Sequence, residues 1–250
     1  MKTIVTAGKG GTGKSTILAG LLCEHILSTS SGRVLVVDAD PHQSLTQLLA
    51  SIFHFKPPAS LGELKRDHDI QLRTGRGVEH ISRSELAEFL VSKSLVQIPG
   101  GALLVMGGNE QAGCQCVVNS LLGQAIDALQ GQFDLAIVDN EAGIEHIGRH
   151  HGWPVDVLLL MCTANALDLD VAHRILTHAQ AVQREIRHSI LVVNKLGRGS
   201  NREQIHLPET NQVATLPWSI YLEETGQMGM GFRSGLLNLW SLLHAQIQRG

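Results

Sequence analysis

The stretch Gly8-Lys9-Gly10-Gly11-Thr12-Gly13-Lys14-Ser15-Thr16 constrains this chain more than any other. It follows Thr3-Ile4-Val5-Thr6-Ala7, a β-branched apolar run that reads as a buried strand. It precedes Ile17, Leu18, Leu21, Leu22 and Ile26, which recur at helical spacing. A glycine-rich turn between a strand and a helix, closing in Gly-Lys-Ser, is a Walker A phosphate loop. Glycines let the backbone curl around an anion with several N–H groups pointing inward. The N-terminus of the next helix adds partial positive charge. Residues 8–16 are therefore expected to bind phosphates, with Lys14 reaching the β- and γ-phosphates and the Ser15 hydroxyl on Mg²⁺.

The rest of the chain alternates strands with helices, which predicts an α/β fold: a doubly wound, mostly parallel sheet with helices on both faces. Residues 34–37 are a continuous apolar run ending in Asp38-Ala39-Asp40-Pro41. A buried parallel strand delivering carboxylates to the ligand edge of the sheet has this pattern. Either aspartate also suits a helix cap, because Pro41 is a good first helical residue. Residues 133–139 form another strand, whose terminal Asp139 reads as Walker B, holding Mg²⁺ through water.

Strands are also expected at 102–106, 155–161, 190–193 and 213–216. Residues 166–186 read as one long amphipathic helix, with Val171, Ile175, Ala179, Val182 and Ile186 on one face. Residues 236–247 form a C-terminal helix. At 190–193 the strand ends in Asn194-Lys195, a pair that packs on the base in P-loop proteins. The guanine-specific version continues with x-Asp, whose carboxylate holds N1 and the exocyclic amine. Leu196-Gly197 stand here instead, which favours adenine. Pro217-Trp218, after the last strand, offer a shelf for the base.

Residues 42–100 carry the weakest signal. Leu45, Leu48, Leu49 and Ile52 suggest a short helix ended by Pro57-Pro58, and 61–65 and 84–91 also look helical. Between them, residues 66–77 mix Arg66, Arg73 and Arg76 with Asp67 and Asp69, the pattern of a solvated loop. After the strand at 102–106, Gly113-Cys114-Gln115-Cys116 opens a helix carrying Val117, Val118, Leu121, Leu122, Ile126 and Leu129. A helix N-terminus favours thiolate, the form that binds metal.

Lys9, a second lysine at the start of the loop, makes the phosphate loop resemble the deviant Walker A of the MinD/ParA/nitrogenase-iron-protein group. In that group the early lysine crosses a dimer interface to the partner's nucleotide. The resemblance implies that Lys9 acts across a homodimer formed in the ATP state. It also implies that Asp40 lies in switch I near the γ-phosphate and the attacking water, with Asp38 behind it. Asp38-Ala39-Asp40-Pro41, Gly113-Cys114-Gln115-Cys116 and Asp139-Asn140-Glu141-Ala142-Gly143-Ile144-Glu145-His146 together look like the CooC family. These are the ATPases that help insert nickel into carbon monoxide dehydrogenase, and the resemblance covers nearly the whole chain. It implies an ATP/ADP cycle with Mg²⁺, Lys9, Lys14 and Asp40 as catalytic residues, and a client nickel enzyme, either carbon monoxide dehydrogenase or a related acetyl-CoA synthase.

Cys114 and Cys116 provide only half of a tetrahedral site. Cys23 lies in the first helix and Cys162 ends a different strand, so neither completes it. A two-fold axis brings the same pair from each of two chains to one point. Four thiolates then suit Zn²⁺ in tetrahedral geometry or Ni²⁺ in square-planar geometry. His146, His150 and His151 cluster downstream, but their spacing fits no ligand pair, and they read as surface histidines.

Composition narrows the alternatives. The 250 residues suit a single P-loop domain, 1–250, and 43% hydrophobic with 17% charged residues is a globular balance. A formal net charge of −3 gives no general attraction to nucleic acid or anionic lipid. Apolar runs are too short for a bilayer, so no stable membrane insertion is expected. The start of the chain runs straight into a strand, which is the expectation for a cytoplasmic protein without a signal peptide. A positioning ATPase of the MinD/ParA type, acting on membrane or DNA, shares the loop but leaves Cys-x-Cys unexplained. A resemblance to the nitrogenase iron protein, an electron-transfer ATPase with a bridging iron–sulfur cluster, would imply a cluster cysteine near switch II, and residues 139–146 contain none.

Overall fold

The computed structural model describes residues 1–26, 33–75, 82–107, 124, 126–127, 129–140, 154–181, 185–197, 207, 210, 212–217 and 228–249. Strand β1 (Lys2–Gly8) passes through the glycine-rich loop into helix α1 (Lys14–Leu21), which continues as a π-helical turn over Leu22–Ile26. Strand β2 (Val34–Ala39) is followed by helices α2 (Ser44–Phe53), α3 (Leu61–Arg73) and α4 (Arg83–Ser94). Then come β3 (Leu95–Ile98), β4 (Gly101–Val105), β5 (Leu135–Asn140), β6 (Val155–Thr163), α5 (Ala166–Ala181), β7 (Ile186–Leu196), β8 (Gln212–Pro217) and α6 (Met230–Arg249).

The strands form one eight-stranded sheet in the order β3-β4-β2-β5-β1-β6-β7-β8. All neighbours are parallel except β3 and β4, so the sheet is the mostly parallel, doubly wound one that the sequence predicts. The apolar runs are continuous because both faces are covered. In β2, Leu35, Val37 and Ala39 join a core shared with α3, α4 and α5, while Val34 and Val36 join a second core with α1, α2 and α6. The carboxyl ends of β1, β2, β5 and β7 therefore open on one edge, where ligands bind in open α/β sheets.

Three expectations are corrected here, and one element is added. Residues 66–73 are not loop, because α3 runs through them to Arg73. Ser60 and Glu63 form a capping box at its start, and Lys65 pairs with Asp69 one turn on. Charges of mixed sign at helical spacing here mark a solvated helix face. Of the helix expected over 166–186, Ala166–Ala181 is helical, Val182 lies outside the described residues, and Ile186 instead pairs with Val155 in β6 as the first residue of β7. Helix α2 ends at Phe53, before the prolines, where His54 turns left-handed at φ 55° and its N–H caps Ala50. The antiparallel edge strand β3 has no counterpart in the sequence reading; with four residues and one buried side chain it is too short for a readable period.

Candidate functional site

The phosphate loop is built around two close approaches. Gly8 (φ 150°) sits beside β6, and a Cβ there would lie 2.2 Å from the Met161 carbonyl oxygen. Gly13 (φ 91°) caps α1 without a side chain, and a Cβ there would lie 2.4 Å from Asn194 Nδ2. The Thr12 hydroxyl donates to the Lys9 carbonyl at 2.9 Å and closes the turn. Lys14 is buried, and its Nζ donates to the carbonyls of Gly8 (3.2 Å) and Lys9 (3.4 Å). The ammonium thus hangs over the loop, with Gly13, which makes no side-chain cap bond, at the start of α1 below it. This combination attracts phosphate.

Beside the loop, Ser15 Oγ donates to Asp139 Oδ2 at 2.6 Å, and Thr6 Oγ donates to Asp139 Oδ1 at 2.8 Å. Asp139 is fully buried at the end of β5. Burial pushes its carboxyl above the ordinary carboxylate range, against the bonds from Ser15 and Thr6 and the charge of Lys14. A hydroxyl and a buried carboxylate converging next to a phosphate loop fit a Mg²⁺ site. A cation there would relieve the burial that now disfavours the charged carboxylate.

Asp38 is the buried register partner of Asp139 on the neighbouring strand. Its Oδ2 accepts from both the N–H (2.7 Å) and the hydroxyl (2.6 Å) of Thr46, and its Oδ1 accepts from the Asp40 N–H at 3.2 Å. Burial, opposed by these bonds, raises its pKa to about 6. Asp38 thus caps α2 from a distance. The helix opens at Ser44, three residues after Pro41, behind a left-handed Gln43 that has no side-chain cap bond. Asp40 is half-buried, and its Oδ1 accepts from the His42 N–H at 2.9 Å. With Gly10, Gly11, Gly13, Lys14, Ser15 and Thr16 it lines a cleft of about 700 Å³. His42, Ser44, Gln47 and Leu48 complete the wall.

Lys9 turns away from this cleft. Its Nζ pairs with Asp168 Oδ1 at 3.0 Å; the lysine side chain is 48% exposed and the aspartate 5%. Asp168 Oδ2 also accepts the Thr163 hydroxyl at 2.6 Å, and its N–H donates to Asn165 Oδ1. Burial works to raise the Asp168 pKa, but the Thr163 and Lys9 bonds outweigh it and hold it low.

Asn194 is buried and donates from Nδ2 to the Thr12 carbonyl at 2.9 Å, bracing the phosphate loop. Lys195 is exposed with φ 55°, and Pro217 ends β8 against the start of α6. Cys114, Cys116, residues 141–146, His150, His151 and Trp218 lie outside the described residues. Burial pushes the Cys23 thiol up to about 11 and the Cys162 thiol up to about 12, so neither is thiolate at neutral pH. Among the described residues no group of three or more His, Cys, Asp or Glu is placed to hold a metal.

Thr6, Thr46, His42 and Asp168 were not singled out from the sequence. Asp168 had a usable signal, an acidic residue in the first turn of a helix after Thr163 and Asn165. Thr46 had none, since its partner lies eight residues back on a strand.

The model of the CobQ/CobB/MinD/ParA nucleotide binding domain matches residues 3–228. An uncharacterised ATP-binding protein of Methanocaldococcus jannaschii is 33% identical over 195 residues, 77% of this chain and 74% of that protein. The carbon monoxide dehydrogenase accessory protein CooC of Rhodospirillum rubrum is 33% identical over 188 residues, 70% of this chain and 67% of that protein. Among solved structures, the MinD cell division protein of Aquifex aeolicus superposes with a TM-score of 0.61 at 16% identity, covering 96% of this chain and 97% of that one. A plasmid partition protein of Borrelia burgdorferi bound to AMPPNP gives 0.64 at 14% identity, covering 98% of each chain.

Proposed function

The chain belongs to the CobQ/CobB/MinD/ParA nucleotide-binding family, and on that premise we propose that it is an ATP-hydrolysing metallochaperone. In this reading it dimerises with ATP, carries Zn²⁺ or Ni²⁺ between Cys114 and Cys116 of two subunits, and assists nickel insertion into carbon monoxide dehydrogenase or a related acetyl-CoA synthase. The observation that carries the ATPase part is the convergence of Ser15 and Asp139 at 2.6 Å beside the phosphate loop. The 33% identity to CooC, in a chain that also has Cys-x-Cys, supports the metal part.

The chemistry asked of the protein is positioning and charge neutralisation. Backbone N–H groups of residues 10–16 hold the phosphates, and Lys14 leaves the Gly8 and Lys9 carbonyls for the β- and γ-oxygens. Ser15 and, through water, Asp139 would hold Mg²⁺, which when bound would supply charge neutralisation at the phosphates. Asp40 orients the attacking water and accepts its proton. Lys9 of the partner subunit stabilises charge in the transition state, as an arginine finger does, a device worth roughly 10³–10⁵-fold in rate. Asn194 and Lys195, with Pro217 at the end of β8, form the adenine side. No helix among the described residues is long and apolar enough to cross a membrane, and we place the whole chain, as one ATPase domain, in the cytoplasm.

Metal analysis together with sedimentation tests the reading. The protein purified with Zn²⁺ or Ni²⁺ is expected to hold one ion per dimer, to lose it in Cys114→Ser and in Cys116→Ser, and to keep ATP binding in both. One tight ion per monomer, or unchanged metal in both variants, would overturn the shared site. Acid-labile sulfide would replace it with an iron–sulfur cluster.

A further inference from the structure

We propose that Thr46 is a positioning residue for hydrolysis: with Asp38 it forms a buried clasp that holds Asp40 and the first turn of α2 as one unit against the phosphate loop. The proposal rests on the ATPase reading above and goes beyond it by assigning a task to a residue that does not line the cleft.

Three observations carry it. First, the clasp is closed at both ends. One carboxylate, fully buried, takes two bonds from Thr46 and one from the Asp40 N–H. The segment between β2 and α2 is thereby tied across its mouth. Second, the clasp does more than a helix cap needs. A Ser, Asp or Asn at position 43 would satisfy the first N–H groups of α2 locally. Instead Gln43 is left-handed without a side-chain bond, and the cap comes from Asp38, on the strand that leads into Asp40. Third, the clasped segment is a wall of the nucleotide cleft. Asp40 and His42 line it from the loop, and Ser44, Gln47 and Leu48 from α2. Within the loop, the Asp40 carboxylate accepts from the His42 N–H and its backbone carbonyl from the Gln43 N–H, so the residue moves with the turn. Displacing Thr46 therefore displaces Asp40.

The base of the clasp is rigid. The Asp38 carbonyl accepts from the Met106 N–H at 2.9 Å, and the Met106 carbonyl accepts from the Gly62 N–H at 3.0 Å. The free end is the Thr46 hydroxyl bond at 2.6 Å; Thr46→Val removes it by putting a methyl of similar volume in its place, and leaves the buried Asp38 Oδ2 with the Thr46 N–H alone.

Thr46→Val and Thr46→Ser separate positioning from packing. Each is compared with the parent in steady-state MgATP hydrolysis, in equilibrium ATP binding, and in hydrogen exchange of the peptide spanning 39–46. Thr46→Val is expected to keep ATP affinity and KM within about threefold while kcat falls roughly tenfold to a hundredfold, the range that a small misplacement near the reacting atoms produces. Its 39–46 peptide should exchange faster. Thr46→Ser, which keeps the hydroxyl, should restore both. Parental kcat in Thr46→Val, an equal loss in Thr46→Ser, or parallel losses of kcat and ATP affinity would each overturn the clasp. If the parent does not hydrolyse ATP, the ATPase reading fails, and the exchange data alone decide the clasp: unchanged exchange in Thr46→Val sinks it, and faster exchange reversed by serine supports it.

Discussion

Lys9 Nζ lies 3.0 Å from Asp168 Oδ1, an ion pair within one chain that ties the phosphate loop to the first turn of α5. The proposed role of Lys9 lies in the other subunit, so closing the dimer must exchange this partner for the nucleotide across the interface. The pair is half in water on the lysine side, which keeps the exchange inexpensive. Lys9→Ala is expected to bind ATP with parental affinity and to hydrolyse it at least about a thousandfold more slowly, the modest end of the finger effect. Asp168→Asn is expected to raise the dimer fraction at a fixed ATP concentration. Sedimentation velocity and phosphate release check both; parental turnover in Lys9→Ala would remove the cross-subunit role.

Asp38 gives the protein a pH signature. Its folded pKa, about 6, lies above the ordinary aspartate value, so folding favours the protonated acid. Below about pH 4 the group is neutral in both states and carries no penalty. As pH rises from about 4 to about 6, the unfolded chain ionises first and stability is lost. Asp38→Asn cannot titrate. The stability of the parent relative to Asp38→Asn should therefore fall by about 3 kcal/mol across that window, since each pKa unit is worth about 1.4 kcal/mol. Urea melts of both proteins at several pH values measure the difference, and a flat difference would mean that Asp38 is not desolvated as described.

Gly13→Ala tests how tightly the loop is built. The residue is left-handed, and a methyl would strike Asn194 Nδ2, which braces the Thr12 carbonyl. Strain at such a position costs about 1–3 kcal/mol before the clash is counted. Thermal melts should show a lower Tm, and ATP binding should be lost with it, since in the proposed site the same N–H groups face the phosphates. A fully stable Gly13→Ala that binds ATP would contradict this geometry.

Asn194-Lys195-Leu196-Gly197 has no carboxylate for guanine, which leads to the expectation that MgATP binds at least about tenfold more tightly than MgGTP, the equivalent of about 1.4 kcal/mol. Competition binding decides it, and equal affinities would move base selection to other residues.

Much of the candidate site was legible because the contacts proposed for the phosphate loop are made by its backbone. Gly8, Gly10, Gly11, Gly13, Lys14 and Ser15 act through local dihedrals and one helix end, and local chemistry is written in local sequence. The doubly wound sheet was legible for the same reason, since strands buried on both faces must be apolar without alternation, as residues 34–37 are. Residues 66–73 misled because alternating charge looks alike on a loop and on a solvated helix face; the capping box at Ser60 decided between them. Asp38 stood between a cap and a site residue, and only the fold shows it reaching Thr46, Asp40 and, through its carbonyl, β4. Ser15 meets Asp139 from 124 residues away, and Lys9 meets Asp168 from 159. What the sequence determined alone was the phosphate loop and the parallel sheet, because both follow from nearest-neighbour geometry and burial. Which carboxylate faces which hydroxyl or ammonium was decided only in three dimensions, where the order β2-β5-β1-β6 sets the carboxyl ends of distant strands side by side.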